Sequence, residues 1–156
     1  MEALKQQTGV QIKHIPYKSS PAVLTDLMGG VLESGFTSVP GGLPLVMAGK
    51  LKAIAVSGPY RVPQLPDVKT MSEQGVKFDV AAYYAFVAPA GTPKPIVKRL
   101  NEEINKILSS TDAIEQLTNQ GFSKLPIKSP EEFEETIRTD LKTWGDIVRD
   151  GKISID

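Results

Sequence analysis

Apolar residues follow two different periods along this chain, one typical of strands and one typical of helices. Short runs rich in aromatic, β-branched and alanine residues predict five strands, at residues 10–15, 31–38, 51–56, 78–88 and 122–127. Between them, apolar residues recur every three or four positions, the spacing of a helix that buries one face. Strands that alternate with helices indicate an α/β fold with mixed or parallel sheets flanked by helices.

Capping residues and glycines predict where the helices begin and end. Ser19 or Ser20 caps a helix that carries Pro21 in its first turn and ends at Gly29. Ser129 and Glu132 have the spacing of a capping box at the start of the last helix. This last helix is predicted to run from Ser129 to Gly151. Two further helices are predicted to end at Gly9 and at Gly49. Three more are predicted from Val68 to Gln74, from Thr92 and Pro93 to about Leu108, and from Asp112 to Gly121.

Composition excludes several classes of function. Lysine and arginine together number 18, as do aspartate and glutamate, so no bulk positive charge favours nucleic acid or anionic membrane. The absence of cysteine excludes disulfides, thiolate metal sites and cysteine nucleophiles. No apolar run approaches the roughly 20 residues that span a bilayer. The N-terminus has no apolar signal core and reads as part of a helix, which predicts that an upstream segment is missing.

The turn at residues 17–21 is the best candidate for chemistry. It places backbone N–H groups at a predicted helix N-terminus, beside Ser19, Ser20 and the charged Lys18. Unpaired N–H groups and the positive end of the helix dipole suit a carboxylate or another small anion. The alternative interpretation is an ordinary helix cap with a solvent-exposed lysine.

Two further residues are candidates for the same cleft. Ser38 lies at the end of a predicted strand, where open α/β sheets bind their ligands. Tyr84 and its neighbour Tyr83 also suit a cleft, although aromatic residues in strands more often pack in a core.

Catalytic and metal sites are not indicated. His14 is the only histidine, and a structural role on its predicted strand is the simpler interpretation. The motifs of nucleotide-binding loops and serine hydrolases are absent. The acidic run at residues 131–135 falls in the first turns of a helix, where carboxylates interact favourably with the helix dipole. No cofactor and no metal are therefore expected.

Four motifs occur in an order that identifies a family. They are Ile15-Pro16-Tyr17-Lys18, Ala48-Gly49-Lys50-Leu51, Leu65-Pro66-Asp67-Val68 and Ala88-Pro89-Ala90-Gly91-Thr92-Pro93. From Gly9 to Gly151 the chain resembles the periplasmic substrate-binding receptors of tripartite tricarboxylate transporters, often called the Bug family. The resemblance implies a receptor that closes on a small organic carboxylate and delivers it to membrane transporter subunits.

The resemblance also implies an organisation into lobes. It implies a partial two-lobed fold like that of periplasmic binding proteins, with residues 1–58 in the second lobe, 59–76 as a crossover or hinge connector, and 77–156 in the first lobe. The residues themselves predict a ligand site that includes Tyr17, Lys18, Ser19, Ser20, Ser38 and Tyr84. The chain is similar to the C-terminal half of such a receptor, so we expect it to self-associate in order to cover exposed sheet edges.

Two other functions stay open at this point. A receptor half that no longer binds solute would serve as an interaction or regulatory module. An α/β enzyme domain would use Lys18 or His14 in a cleft, but no nucleophile with a matching base accompanies either residue.

Overall fold

The computed structural model describes residues 2–76, 82–122 and 127–151. Its helices are α1 (Glu2–Thr8), α2 (Ser20–Met28), α3 (Val39–Met47), α4 (Lys94–Leu108), α5 (Thr111–Asn119) and α6 (Pro130–Asp150), and Ser72–Gln74 forms one 3₁₀ turn. Within these described ranges no strand forms, and a single isolated parallel bridge joins Val56 to Thr70.

Most residues that were predicted to begin or end a helix do so in the structure. Helix α2 has Pro21 in its first turn, and its chain turns at Gly29 and at Gly30, whose φ is 70°. The capping box of α6 is confirmed: the Ser129 hydroxyl accepts a hydrogen bond from the Glu132 N–H at 3.1 Å, and the Glu132 carboxylate accepts one from the Ser129 N–H at 2.8 Å. These two bonds satisfy N–H groups that the first turn of a helix leaves without partners.

Two helix predictions need correction. Thr92 does not cap α4, because its hydroxyl donates instead to the Pro89 carbonyl at 2.8 Å; the residue that precedes α4 is Pro93. Between Val68 and Gln74 only the 3₁₀ turn forms. Thr70 there belongs to the bridge with Val56, and a residue held in such a bridge cannot also lie within a helix.

The predicted sheet is not found in the described ranges. Residues 10–15, 31–38 and 51–56 contain no strand, while the predictions at 78–88 and 122–127 fall partly outside the described residues. The nearest approach to sheet pairing is at Val56, whose N–H donates to Lys69 at 3.1 Å and whose carbonyl accepts from Met71 at 2.8 Å. A strand requires a neighbour along its hydrogen-bonding edge, and apolar alternation alone does not supply one.

The described residues form two compact units. The first unit contains the residues up to Ala82 together with Leu117–Phe122, and the second contains Tyr83–Gln116 and the residues from 127 onward. All the buried apolar side chains of the described part belong to the first unit; they are Ala3, Leu24, Leu43, Val62 and Met71. The division into lobes at residues 58 and 76 stays a prediction.

Gly121 ties the end of the α5 segment to α3 within the first unit. Its φ is 93°, a conformation that side chains with a Cβ rarely adopt. A Cβ on this glycine would lie 2.8 Å from Val39 Cγ1 and 3.2 Å from Leu43 Cδ2. Glycine is thus required here both for the turn and for the close approach to α3.

The proline-rich connector at residues 59–76 is held by one arginine. Arg61 Nε donates to both carboxylate oxygens of Glu73, at 3.0 and 2.9 Å, and Arg61 Nη1 donates to the Pro66 carbonyl at 2.8 Å. The Thr70 N–H donates to Glu73 Oε2 at 2.8 Å. These bonds fold the segment back on itself, and Val62 beside Arg61 is only 2% exposed.

Candidate functional site

The first turn of α2 leaves backbone donors unpaired. The residue before the helix, Ser19, has extended backbone angles (φ −155°, ψ 149°), and its hydroxyl forms no capping hydrogen bond. Pro21 has no N–H, and the Ser19 carbonyl is used by Val23 at 3.5 Å. The N–H groups of Ser20 and Ala22 therefore point out of the helix N-terminus, at the positive end of its dipole.

Helix α3 begins in the same way. Ser38 precedes it with φ −67° and ψ 145°, and its hydroxyl also forms no capping hydrogen bond. Pro40 lies in the first turn, and the Ser38 carbonyl accepts from Gly42 at 3.0 Å. As in α2, two N–H groups of the first turn, those of Val39 and Gly41, have no partner within the helix.

The two helices pack against each other through small residues. A Cβ on Gly41 would lie 3.2 Å from Ser38 Oγ and 3.9 Å from Leu24 Cδ1, so the start of α3 lies next to the second turn of α2. In the loop between them, a Cβ on Gly35 would lie 2.9 Å from Val23 Cγ1. These glycines permit the contact, and a bulkier residue at Gly41 would crowd the Ser38 hydroxyl.

Thr37, immediately before Ser38, contributes an unusual polar atom. Its Oγ1 is fully buried and has no hydrogen-bond partner in the described part of the protein. Its Cγ2 is held close to Gly42, where a Cβ would approach it to 2.9 Å. A buried hydroxyl without a partner is costly, so the start of α3 is held in a locally unfavourable arrangement.

Tyr17 is occupied by a contact within the protein. Its hydroxyl donates to Asp26 Oδ2 on α2 at 2.5 Å. This hydrogen bond, together with desolvation and the negative charge of Asp26, raises the pKa of Tyr17 above its usual value of 10.0. The phenol therefore fastens the turn to α2, and Asp26 is a contributing residue that sequence reasoning missed. The only signal for it in the sequence is that Asp26 is the single charged residue of α2.

Lys18 supplies the positive charge of this turn. Its side chain is exposed and forms no ion pair with the other described residues. A lysine two residues before the first residue of α2 adds to the positive potential at the N-terminus of this helix. Five of the six predicted site residues thus belong to the first unit, in or beside the α2 and α3 starts.

The sixth predicted residue, Tyr84, belongs to the second unit and is 72% exposed. Its neighbour Tyr83 packs edge-on against Phe133, with ring centroids 5.3 Å apart and an interplanar angle of 85°. Desolvation and a hydrogen bond to Asp140 raise the pKa of Tyr83. Of the two tyrosines, Tyr83 is therefore a packing residue, while Tyr84 is the more exposed one.

The remaining candidates form ordinary structural contacts. His14 Nδ1 lies 3.6 Å from Glu2 Oε1 of α1, so the histidine contacts this helix. The same oxygen accepts a hydrogen bond from Lys5 Nζ at 3.0 Å. In the acidic run, Glu134 pairs with Arg138 at 2.7 Å. The residues that the structure describes hold no group of three potential metal ligands, and none of their helices is both long and apolar enough to cross a membrane.

Residues 1–153 match the family described as "Tripartite tricarboxylate transporter family receptor". Protein BugT of Bordetella pertussis is 33% identical over 150 residues, which are 96% of this chain and 46% of BugT. The chain thus spans about half the length of the curated relatives it matches.

Solved structures give the same result for the fold. An R. palustris protein solved with adipate superposes with a TM-score of 0.86 and 30% identity over 98% of this chain and 51% of its own. The periplasmic binding protein BugD superposes with a TM-score of 0.81 and 29% identity over 98% of this chain and 52% of its own. The predicted likeness to periplasmic binding proteins is confirmed, whereas its sheets are not confirmed by the described residues.

Proposed function

Because the chain belongs to the tripartite tricarboxylate transporter receptor family, we propose that it takes part in capturing a small organic carboxylate for a membrane transporter. Its share of the ligand site is the pair of helix starts at Ser20 and Val39, with Lys18 beside them. The family consists of receptors, so the proposed activity is binding and release rather than catalysis. No cofactor takes part in this activity.

One observation carries this proposal: α2 and α3 pack together, and each is preceded by a serine whose hydroxyl does not cap the helix. Most helices that begin at serine use its hydroxyl to satisfy an N–H of the first turn. Here four first-turn N–H groups, two on each of these packed helices, have no hydrogen-bond partner among the described residues. Such donors at the positive end of a dipole favour an anion, and a carboxylate accepts two or more of them at once.

The structural neighbours support the ligand class and the compartment. The R. palustris neighbour was solved with adipate, a dicarboxylate, and BugD is described as a periplasmic binding protein. We therefore extend to this chain a small carboxylate ligand, a periplasmic location and transporter subunits as partners. Tyr17, Ser19, Ser38 and Tyr84 are proposed to line or shape the site.

Calorimetry with a charged and an uncharged ligand tests this function. The 156-residue chain is titrated with adipate and with adipamide, its neutral diamide of similar shape. We expect binding of adipate only, because the neutral amide gains nothing from Lys18 or from the helix dipoles. Equal binding of both ligands, or of neither, contradicts the proposal.

A matched pair of variants at Ser20 tests the backbone donor itself. Ser20→Pro removes one N–H at the first helical position, where proline is well tolerated, and the extended angles of Ser19 suit a residue before proline. Ser20→Ala removes the hydroxyl and keeps the N–H. Hydrogen bonds to charged groups are worth about 1.5–3 kcal/mol, so Ser20→Pro should weaken adipate binding about tenfold or more. Ser20→Ala should change it less than about threefold, and equal affinities in the two variants would remove this N–H from the site.

The alternative of an enzyme gains no support from His14, which contacts α1, or from Lys18, which has no neighbouring base in the described part of the chain.

A further inference from the structure

The chain that leads into α2 is held by few contacts. Residues 12–18 form no backbone hydrogen bond with any residue that the structure describes. Their polar contacts within the described ranges are two: His14 with Glu2 of α1, and the Tyr17 hydroxyl with Asp26 of α2. The Tyr17 hydrogen bond is therefore the polar contact that fixes this segment to the helix whose first turn carries the candidate donors.

The side chain of Tyr17 lies along α2. Asp26 is the seventh residue of this helix, about 9 Å along the helix axis from Ser20. Because Asp26 Oδ2 accepts from the phenol at 2.5 Å, the tyrosine hydroxyl lies beside the second turn of the helix. The turn at residues 17–20 is consequently attached to α2 at two points, through the peptide chain at Ser20 and through the phenol at Asp26.

Asp26 also anchors the segment that follows α2. Its backbone carbonyl accepts from the N–H groups of Val31 at 2.9 Å and of Leu32 at 3.2 Å. This segment leads to Ser38 and the start of α3. Asp26 thus restrains the chain on both sides of α2, on one side with its carboxylate and on the other with its carbonyl. A substitution at Asp26 removes only the first of these contacts, so the hold on the turn can be tested separately.

Neither side chain of this pair is suited to contact an anion directly. The single proton of the Tyr17 hydroxyl is donated to Asp26, and the Asp26 carboxylate repels a carboxylate ligand. Both residues can act on an anion site only through the turn that they hold. Lys18 and Ser19 on this turn are exposed, and an exposed turn without such a hold would lose conformational entropy when a ligand ordered it.

We propose that Tyr17 and Asp26 are positioning residues of the candidate site: their hydrogen bond holds the turn at residues 17–20 in place before a ligand arrives. Tyr17 thereby shapes the site without touching the ligand. This role rests on the proposed capture of a carboxylate and names two residues that control its affinity. Preorganisation of this kind raises affinity, because the turn is already ordered in the folded protein.

Backbone relaxation measured by nuclear magnetic resonance on the ligand-free chain tests the hold itself. Tyr17→Phe removes the hydroxyl and keeps the ring, whereas Asp26→Asn keeps an oxygen that accepts the hydrogen bond. We expect the order parameters of residues 18–20 to fall from about 0.85 to below about 0.6 in Tyr17→Phe and to stay near about 0.85 in Asp26→Asn. Unchanged order parameters in Tyr17→Phe would show that the inference is wrong.

Calorimetry with adipate measures the effect of this hold on binding. Tyr17→Phe should weaken adipate binding about tenfold, since fixing the backbone of even one residue costs about that factor in affinity. Asp26→Ala should bind about tenfold more weakly than Asp26→Asn, because both variants lose the charge but only alanine loses the acceptor. In the Asp26→Ala background, Tyr17→Phe should have no further effect, because the same hydrogen bond is already absent. Losses that add in the double variant contradict the positioning role.

Two outcomes separate this inference from the proposed function. If the unmodified chain binds no adipate, the proposed function is wrong, and the order parameters alone decide whether Tyr17 and Asp26 hold the turn. If adipate binds and the turn loosens in Tyr17→Phe without loss of affinity, the function stands and the positioning role is wrong. Helical circular dichroism equal to that of the unmodified chain verifies that each variant is folded.

Discussion

The two units of this chain are stabilised in different ways. The first unit has a small core that contains Leu24, Leu43 and Val62, and its helices α2 and α3 are mostly apolar in sequence. In the second unit no described residue is buried, although α4 and α6 are long, amphipathic and in contact with each other. The second unit is held by the capping box of α6, by its exposed ion pairs and by hydrogen bonds such as those of Asn101 and Asn105 to the Lys128 carbonyl, at 3.0 and 3.3 Å.

The two units also differ in what their surfaces present. The candidate anion site lies in the unit that has its own core, where packed glycines hold the helix starts in place. The second unit presents apolar stripes that are only half covered. Helices gain most of their stability by burying one face, so the second unit has more to gain from a partner than the first.

The largest difference between the two units is expected when one leucine in each is replaced by alanine. Leu43 is 7% exposed and Leu141 is 69% exposed. Leu43→Ala should lower the free energy of unfolding by about 2–5 kcal/mol, because it removes buried methyl groups and leaves a cavity. Leu141→Ala should change it by less than about 0.5 kcal/mol. Urea denaturation followed by circular dichroism measures both values, and similar losses would mean that the second unit has a core of comparable importance.

A smaller effect is expected from the serines that precede helices. Ser129→Ala removes a hydroxyl that accepts a hydrogen bond, and it should destabilise α6 by about 1 kcal/mol. Ser19→Ala removes a hydroxyl that caps nothing, so it should have almost no effect on α2. Amide hydrogen exchange in the first turn of each helix measures the difference. Faster exchange in α2 of the Ser19 variant would show that this hydroxyl does cap its helix in solution.

The smallest effect should come from the Arg61–Glu73 pair, because both side chains are 41% exposed. Hydrogen bonds from Arg61 and from the Thr70 N–H lower the pKa of Glu73 from 4.5 to about 2. A carboxyl whose pKa is lowered in the folded state stabilises the protein at pH values above the pKa of the unfolded state. This contribution is lost as the pH falls from 4.5 through about 2. Glu73→Gln should therefore lower the melting temperature at pH 7 and have a much smaller effect near pH 2, where the carboxyl of the unmodified chain is about half protonated.

Thermal unfolding at pH 7, 4 and 2 measures this pH dependence. Glu115→Gln is the control, since Glu115 is exposed on α5 and forms no ion pair in the described part of the chain. If the Glu73 variant differs from the unmodified chain equally at all three pH values, the effect does not come from ionisation of this carboxyl.

The helices were predictable because their signals are local. Ser129, Pro130 and Glu132 lie within one turn, and their hydrogen bonds form whatever the rest of the chain does. Pro21 and Gly29 likewise mark the two ends of α2 by local signals. The strand predictions had no such support. Pairing requires a second segment in register, and of the described residues only Val56 and Thr70 achieve it.

The candidate site was predictable in part. The residue types at 17–20 indicate a site that binds an anion, but the sequence alone does not show that Tyr17 donates a hydrogen bond to Asp26. It also does not show that Ser19 and Ser38 both leave their helices uncapped, or that Gly41 brings α3 against Leu24. These contacts depend on side-chain rotamers and on packing between segments.

The sequence by itself determined the family, most of the helix boundaries and the charge of the candidate turn, since ordered motifs, helix-capping residues and Lys18 can all be read from the order of residues. Only the tertiary structure decided which N–H groups stay unpaired, which tyrosine is packed and how much apolar surface is left uncovered. The reason is physical: hydrogen bonds and buried area belong to pairs of segments that meet in space. Lys18 carries its positive charge in any fold, whereas the first-turn N–H groups of α2 and α3 belong to neighbouring helices only because α2 and α3 pack together.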